Sequence, residues 1–318
     1  MAYLKSRPAG VQLLLFVGMA FGIFLVISLV GVVILTNITG ISLFEITDAG
    51  NWDFKNPNMI TFVRGMLIIQ FLGLFLIPSL LFAYFSDPRP MQYLGLKNPH
   101  KAIYFLLGFA VLLLALPLVE WLGTVNREVR FPSGIDKWME NNEKQAADQI
   151  QFMLSKNTVK DLIINLIFIS GFAAIGEELF FRGVLQRLFI RIFKNPWAGI
   201  ITTAFIFSAI HFQFYGFIPR FILGILLGVI YWYSGSLLPA ILAHFFYDAF
   251  FIVLIYFNPA MLNNQDETLF KSSMIAVPGI LSLVLVTGLV WWIRKQSAVT
   301  YDQVYANDKL PPPDPFSF

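Results

Sequence analysis

Three short segments in the C-terminal half of the chain set ionisable side chains among apolar ones. They are Gly176-Glu177-Glu178-Leu179-Phe180-Phe181-Arg182-Gly183, Phe207-Ser208-Ala209-Ile210-His211 and His244-Phe245-Phe246-Tyr247-Asp248. Ionisable groups in lipid-soluble surroundings are costly, and where they occur they mark a functional site by default. A sheltered glutamate can take a proton from water and return it to a leaving amine. Imidazoles can position that water or stabilise an oxyanion. Amide hydrolysis inside a membrane needs this set: a water pocket, a base, and donors for the tetrahedral intermediate. A proton relay needs similar residues without the oxyanion donors, so a proton-coupled transporter stays open as an alternative, as does a catalytically silent membrane scaffold or immunity protein.

Helical spacing separates the roles of these residues. Glu178 and Arg182 are four apart, about 40° around a helix, and are expected to form a charge-assisted pair that supports the site. Glu177 is turned about 100° from Glu178, so the two carboxylates cannot meet at one spot unless the helix distorts. Glu177 is therefore the carboxylate left free to meet water. His244 and Asp248 share one face, so Asp248 can hydrogen-bond His244 or share its target. His211 comes from another helix. The intervening segment carries Gly224 and Gly228 at GxxxG spacing, which permits close helix packing.

The rest of the chain must hold these segments in a membrane. Of 318 residues, 57% are hydrophobic and 13% charged, against roughly a quarter charged in soluble proteins. A bilayer core about 30 Å thick takes roughly 20 apolar residues per helix. The candidate spans are 11–35, 66–85, 102–121, 162–181, 197–211, 217–233, 237–257 and 274–292. The fold class expected is all-α, a polytopic membrane helical bundle of about eight transmembrane helices forming one domain over residues 1–295, with its motif-bearing core at 162–257. The first span is too long for a signal-peptide core and reads as a retained anchor. Trp121, Trp197, Trp232, Trp291 and Trp292 fall at span ends, where an aromatic belt would place them. Measured along straight helices, His244 lies about 12 Å from Ser236 and His211 about 21 Å from Trp197, so the fifth helix must tilt or begin outside the hydrocarbon.

Charge gives an orientation. Lys5, Arg7, Arg89, Lys97, Lys101, Arg187, Arg191, Lys194, Arg294 and Lys295 fall on one side, while Glu45, Asp48, Asp53, Lys55, Asp266, Glu267 and Lys271 fall on the other. The positive-inside rule then puts both termini in the cytoplasm, and a bacterial inner membrane suits such a chain. Arg187, Arg191 and Lys194 are expected to snorkel to headgroups, with Arg220 doing the same on the opposite side. Residues 123–161 hold six basic and six acidic side chains. Within them Ala146, Ile150, Met153 and Leu154 recur at helical spacing, predicting an extramembrane amphipathic helix on the membrane or over the bundle. The polar tail at 296–318, with three consecutive prolines, is expected to be disordered.

Some chemistry is excluded. The chain has no cysteine, which removes disulfides, thiol nucleophiles and cysteine-bound metal centres, and it has only three histidines. His100, after Asn98 and Pro99, reads as a surface histidine. Net charge is +3 with no long basic tract, so nucleic acid is not an expected partner. No histidine is followed by glutamate, which excludes the HExxH zinc motif.

In their order, Glu177-Glu178-x-x-x-Arg182, Phe207-x-x-x-His211 and His244-x-x-x-Asp248 resemble the CPBP family of intramembrane endopeptidases. That family includes the type II CAAX prenyl proteases and the bacterial bacteriocin-processing or immunity (Abi) proteins. The resemblance covers about residues 162–257. It implies a site buried in a helical bundle and open to the cytoplasm, with Glu177 as general base and His211 as its partner in activating water. His244 and position 248 would form the oxyanion site, with Glu178, Arg182 and Phe207 in support. Membrane-associated peptides or proteins, prenylated ones among them, are the implied substrates and the lipid bilayer the implied surroundings. Many relatives have Asn where this chain has Asp248. A carboxylate donates only when protonated, which favours orienting His244 over an oxyanion role. Two imidazoles and two carboxylates would also suffice for a zinc ion, so Glu177, His211, His244 and Asp248 are the candidate ligands if a divalent metal is bound. Neither a metal nor any other cofactor is required by the glutamate mechanism.

Overall fold

The computed structural model describes residues 3–42, 56–129, 131–262 and 275–300. The described residues form helices and no strands. The principal helices are α1 (Ala9–Thr39), α2 (Pro57–Ser86), α3 (Ile103–Glu128), α4 (Ser133–Leu154), α5 (Val159–Phe193), α6 (Pro196–Ala209), α7 (Phe217–Ser234), α8 (Leu238–Phe257) and α9 (Ala276–Gln296). The chain is thus a polytopic all-α bundle. Seven of its described helices are long and apolar enough to cross a membrane, and α6 is apolar but only 14 residues long. The acidic stretches at 45–53 and 266–267, like the tail beyond residue 300, lie outside the described residues, so the charge-based orientation rests on sequence alone.

Local chemistry sets the helix limits. Asn195 caps α6, its side chain accepting from Trp197 N at 2.9 Å and Ala198 N at 3.3 Å, and Pro196 follows at the first turn. Gly235 ends α7 in the left-handed region at φ 64°, and Gly40 ends α1 at φ 70°. Inside α3 the helix breaks at Ala115, two residues before Pro117, whose ring cannot continue the hydrogen-bond ladder.

The depth problem posed by the fifth span is solved by unequal lengths. Leu237, just before α8, lies level with Gly183 of α5, where an added Cβ would stand 3.6 Å from its side chain. Helix α5 continues past that level to Phe193, and α6 starts from there. At about 1.5 Å per residue, α6 is only about 21 Å long and ends inside the bundle rather than crossing it. His211 follows directly in the turn between α6 and α7 and so reaches the level of His244.

That turn is tied down from above. Asn126 of α3 donates through Nδ2 to Phe214 O and accepts from Ile218 N at 2.9 Å. Glu143 of α4 accepts from Tyr215 N at 2.9 Å. Helix α4 lies over the bundle, as the amphipathic pattern predicts, but its contact face is shifted. Met139, Phe152 and Met153 are buried, whereas Ile150 is 42% exposed. Ile150 lines a cavity beside α5 instead of packing. Two of the tryptophans assigned to the aromatic belt are also internal: Trp232 is buried, and Trp121 packs on Gly279 of α9. Trp197, Trp291 and Trp292 remain exposed. Arg187 and Arg191 are half-buried and make contacts within the bundle, Arg187 lying over the Tyr93 ring at 4.5 Å and Arg191 donating to Gln12 Oε1 at 3.1 Å.

Close helix approach predicts where small residues are indispensable. A Cβ at Gly199 would stand 2.7 Å from Ile190 N and 2.9 Å from its Cα, a backbone that no rotamer change can clear, whereas at Gly18 it would meet nothing. Gly199→Ala should lower the thermal unfolding midpoint in detergent, by about 1–3 kcal/mol of overpacking strain, with Gly18→Ala at or slightly above the parent value.

Candidate active site

The site begins with a change of helical pitch. In α5 the α-helical hydrogen bonding of Phe172–Glu177 gives way to i→i+5 bonding over Glu178–Gln186, following an earlier such stretch at Leu166–Gly171. The two glutamates sit at the junction of the α-helical and π-helical stretches, and π-helical turns are frequent at functional sites. The neighbouring carboxylates face the same imidazole from two sides. Glu178 Oε1 is 3.0 Å from His244 Nδ1, and Glu177 Oε2 is 4.0 Å from His244 Nε2.

Glu178 and Arg182 are fully buried and paired at 2.6 Å, as their spacing predicts. One carboxylate oxygen, Oε1, accepts from both Arg182 Nη1 and His244 Nδ1. Arg182 also donates through Nη2 to Gly224 O at 3.2 Å. One turn further along, Gln186 Nε2 donates to Gly228 O at 3.1 Å. The two glycines therefore do more than allow close packing. Their carbonyls receive a ladder of side-chain donors from α5, and a Cβ at Gly228 would stand 2.6 Å from Gln186 Oε1. Gln186 escaped the sequence reading, although its four-residue step from Arg182 matches the step between the glycines.

Phe207 joins the pieces. Its ring packs under the Arg182 guanidinium at 4.6 Å, edge-on to Phe181 at 5.1 Å and His211 at 5.1 Å, and 6.4 Å from the His244 ring. Its carbonyl accepts from His211 Nδ1 at 2.7 Å. A carbonyl can only accept, so Nδ1 carries the proton, and neutral His211 presents the lone pair of Nε2. That atom is 4.0 Å from Glu177 Oε1.

The structure thus brings together all four candidate residues: Glu177, His211, His244 and Asp248. Asp248 Oδ2 lies 3.4 Å from His244 Nε2. The expectation that Asp248 orients His244 needs revision in its geometry, because the Nδ1 side, from which a ring is held, belongs to Glu178. Asp248 instead shares the Nε2 side with Glu177. Glu177 also lines a cavity of about 160 Å³ between α2, α4 and α5, together with Gln70, Phe71, Gln149, Met153 and Phe172. The side chain of Glu177 is 13% exposed, against none for Glu178. Among the described residues no three His, Asp or Glu side chains are grouped to hold a metal ion, so the zinc reading draws no support from the donor geometry. Arg220, expected to snorkel outward, is half-buried and donates to Gln213 Oε1 at 2.7 Å.

Comparison with known proteins supports the resemblance carried by the motifs. Residues 159–250 match the family model described as Type II CAAX prenyl endopeptidase Rce1-like, a stretch that contains all three motifs. The chain is similar to the uncharacterized protein YpbD of Bacillus subtilis, 34% identical over 112 residues, which is 34% of this chain and 54% of that protein. It is also similar to an uncharacterized 24.3 kDa protein of Escherichia coli, 29% identical over 96 residues, 29% of this chain and 44% of that one. The chain spans about half the length of these curated relatives. No solved structure matches it.

The buried pair makes a stability prediction. Removing Arg182 takes the closer of two donors from the buried Glu178 and leaves it only His244, so Arg182→Met should destabilise the protein by about 3 kcal/mol, and the double replacement with Glu178→Gln should recover a large part of it. Reversible unfolding in mixed micelles checks this; equal loss in the single and double variants would contradict it.

Proposed function

We propose that this chain is an intramembrane endopeptidase of the CAAX-protease type, cutting peptide bonds of membrane-associated substrates with water activated by Glu177 and His211. The observation that carries this reading is the placement of Glu177. Its two oxygens face two imidazoles, each at 4.0 Å. A water about 2.8 Å from both Glu177 Oε1 and His211 Nε2 fits across their 4.0 Å separation and can donate to each.

In this mechanism the water gives one proton to Glu177 while His211 Nε2 holds the other by hydrogen bonding. The water oxygen adds to the substrate carbonyl carbon, and negative charge moves onto the carbonyl oxygen. Glu177 then delivers its proton to the amide nitrogen, the C–N bond breaks, and the amine leaves. His244 faces carboxylates at both ring nitrogens, and a ring donates from both only as the imidazolium. Nδ1–H is held by Glu178, which leaves Nε2–H to turn toward the developing oxyanion. Asp248 holds that edge of the ring in the resting site. The Glu178–Arg182 pair and Phe207 fix the parts in place without touching substrate.

The cavity beside Glu177 suits a peptide entering between α2, α4 and α5, with the amides of Gln70 and Gln149 able to bond its backbone. Prenylated proteins and leader-bearing peptides are the substrate classes we propose, and a multi-pass position in a bacterial inner membrane with both termini cytoplasmic is the proposed location.

Glu177→Gln keeps size and hydrogen-bonding shape but cannot take a proton from water. In proteoliposomes offered a library of prenylated and unmodified peptides, cleavage by this variant should fall at least about 10³-fold with the unfolding midpoint unchanged. Full cleavage by Glu177→Gln would refute the mechanism. A chelator arm should leave the rate unchanged if side chains alone carry the reaction. Absence of cleavage by the parent protein across the library would return the transporter or the silent scaffold.

A further inference from the structure

The helix ends gather on two faces of the bundle, and the site opens on one of them. On the first face Arg191 bonds Gln12 and Arg187 bonds Tyr93 O, while Lys101 donates to Gln296 Oε1 at 2.9 Å and Ser297 to Tyr233 O at 2.7 Å. The starts of α1, α3, α6 and α8 therefore lie with the ends of α2, α5, α7 and α9. On the second face Asn58 donates to Thr39 O, Arg64 pairs with Asp161, and Asn165 donates to Met153 O, each at 3.0 Å. Helix α4 spreads over this second face, where Glu143 holds the turn between α6 and α7.

Toward the first face Glu177 is sealed off. Phe181, Val184, Leu185 and Leu188 of α5 are buried, and Leu94 and Leu237 are fully buried against Gly183. Leu237 N donates to Gly95 O at 2.8 Å, closing the segment before α3 onto the start of α8. Toward the second face the packing is open. The cavity of about 160 Å³ runs from Glu177 to Gln149, Ile150 and Met153 of α4. Two of its lining residues, Gln70 and Ile150, are exposed at the surface. A peptide can approach Glu177 from the α4 face and not from the other.

Charge decides which side of the membrane that face looks onto. The N-terminal arm, the α2–α3 and α5–α6 connections and the end of α9 all carry basic side chains, and Asp87 is the one acid among the described residues there. The segment on the α4 face mixes the signs, with six basic and six acidic side chains over residues 123–161. The positive-inside rule then puts the sealed face in the cytoplasm.

We propose that the site takes its substrate from the extracytoplasmic side, as a peptide segment already exported or exposed at the outer surface, entering between α2, α4 and α5. This rests on the hydrolytic reading of Glu177, and it reverses the cytoplasmic opening that the family resemblance implies. Of the two substrate classes named above it selects leader-bearing peptides met after export. A protein held by its lipid in the cytoplasmic leaflet presents its chain to the sealed face.

Two measurements on the full-length protein test this. The chain has no cysteine, so single replacements report sidedness without background. Glu140 on α4 and Lys97 before α3 are both exposed. In intact cells a membrane-impermeant maleimide should label Glu140→Cys and reach Lys97→Cys only after lysis. The second measurement offers quenched peptides, made impermeant by a sulfonated tail, to right-side-out and to inverted vesicles. Cleavage should run at least about tenfold faster in right-side-out vesicles and vanish in Glu177→Gln. The opposite labelling pattern, cleavage equal on both sides or faster in inverted vesicles, or cleavage that appears only once detergent opens the membrane would overturn the proposal while leaving hydrolysis by Glu177 standing. Should the parent protein cleave none of the peptides even in detergent, the hydrolytic reading falls, and this assignment with it.

Discussion

The rest of the site depends on a single carboxylate oxygen. Glu178 Oε1 accepts from Arg182 at 2.6 Å and from His244 at 3.0 Å, with Glu178 and Arg182 wholly buried. In such a medium an unpaired charge is prohibitive, so the acid, the guanidinium and the imidazole must stay together. Because Arg182 also reaches Gly224 and lies over Phe207, the same three groups set how α5 meets α6, α7 and α8. The pair is therefore less a source of net stability than a constraint on register. Replacing it with well-packed apolar side chains could leave a bundle just as stable, but without the direction in which the His244 ring points.

Two adjacent glutamates can then divide the labour. Glu178 is sealed in against His244, while Glu177 is partly exposed and lines a cavity. The division falls where the α-helical stretch of α5 gives way to the π-helical one at Glu178. The two carboxylates, about 100° apart around the helix, reach different edges of one ring, Glu178 at Nδ1 and Glu177 at Nε2. Along the wider turn Arg182 and Gln186 donate to the carbonyls of Gly224 and Gly228.

Much of this was legible in the sequence, for reasons that also explain what was not. Apolar runs announce spans, and i, i+4 charge spacing announced the Glu178–Arg182 pair, because both depend only on local chemistry. Hydropathy records length but not depth. It could not show that α6 stops inside the bundle and brings His211 level with His244. Arg220 looked like a headgroup anchor because it opens an apolar run, and Trp121 and Trp232 looked like belt residues for the same reason. Trp232 is buried and Trp121 packs on Gly279 of the distant α9, while Arg220 bonds Gln213 only seven residues back. Asp248 was placed correctly beside His244, but the sequence did not reveal that Glu178 already held the ring's other nitrogen.

The most direct test of the convergence of Glu177, His211 and His244 is the nitrogen-15 spectrum of histidine-labelled protein in bilayers. With three histidines in the chain, the assignment is small, and His100 serves as an internal reference. The account predicts that Glu177→Gln shifts the ring signals of both His211 and His244 and leaves those of His100 in place. Signals from His211 and His244 that ignore the loss of this carboxylate would contradict it.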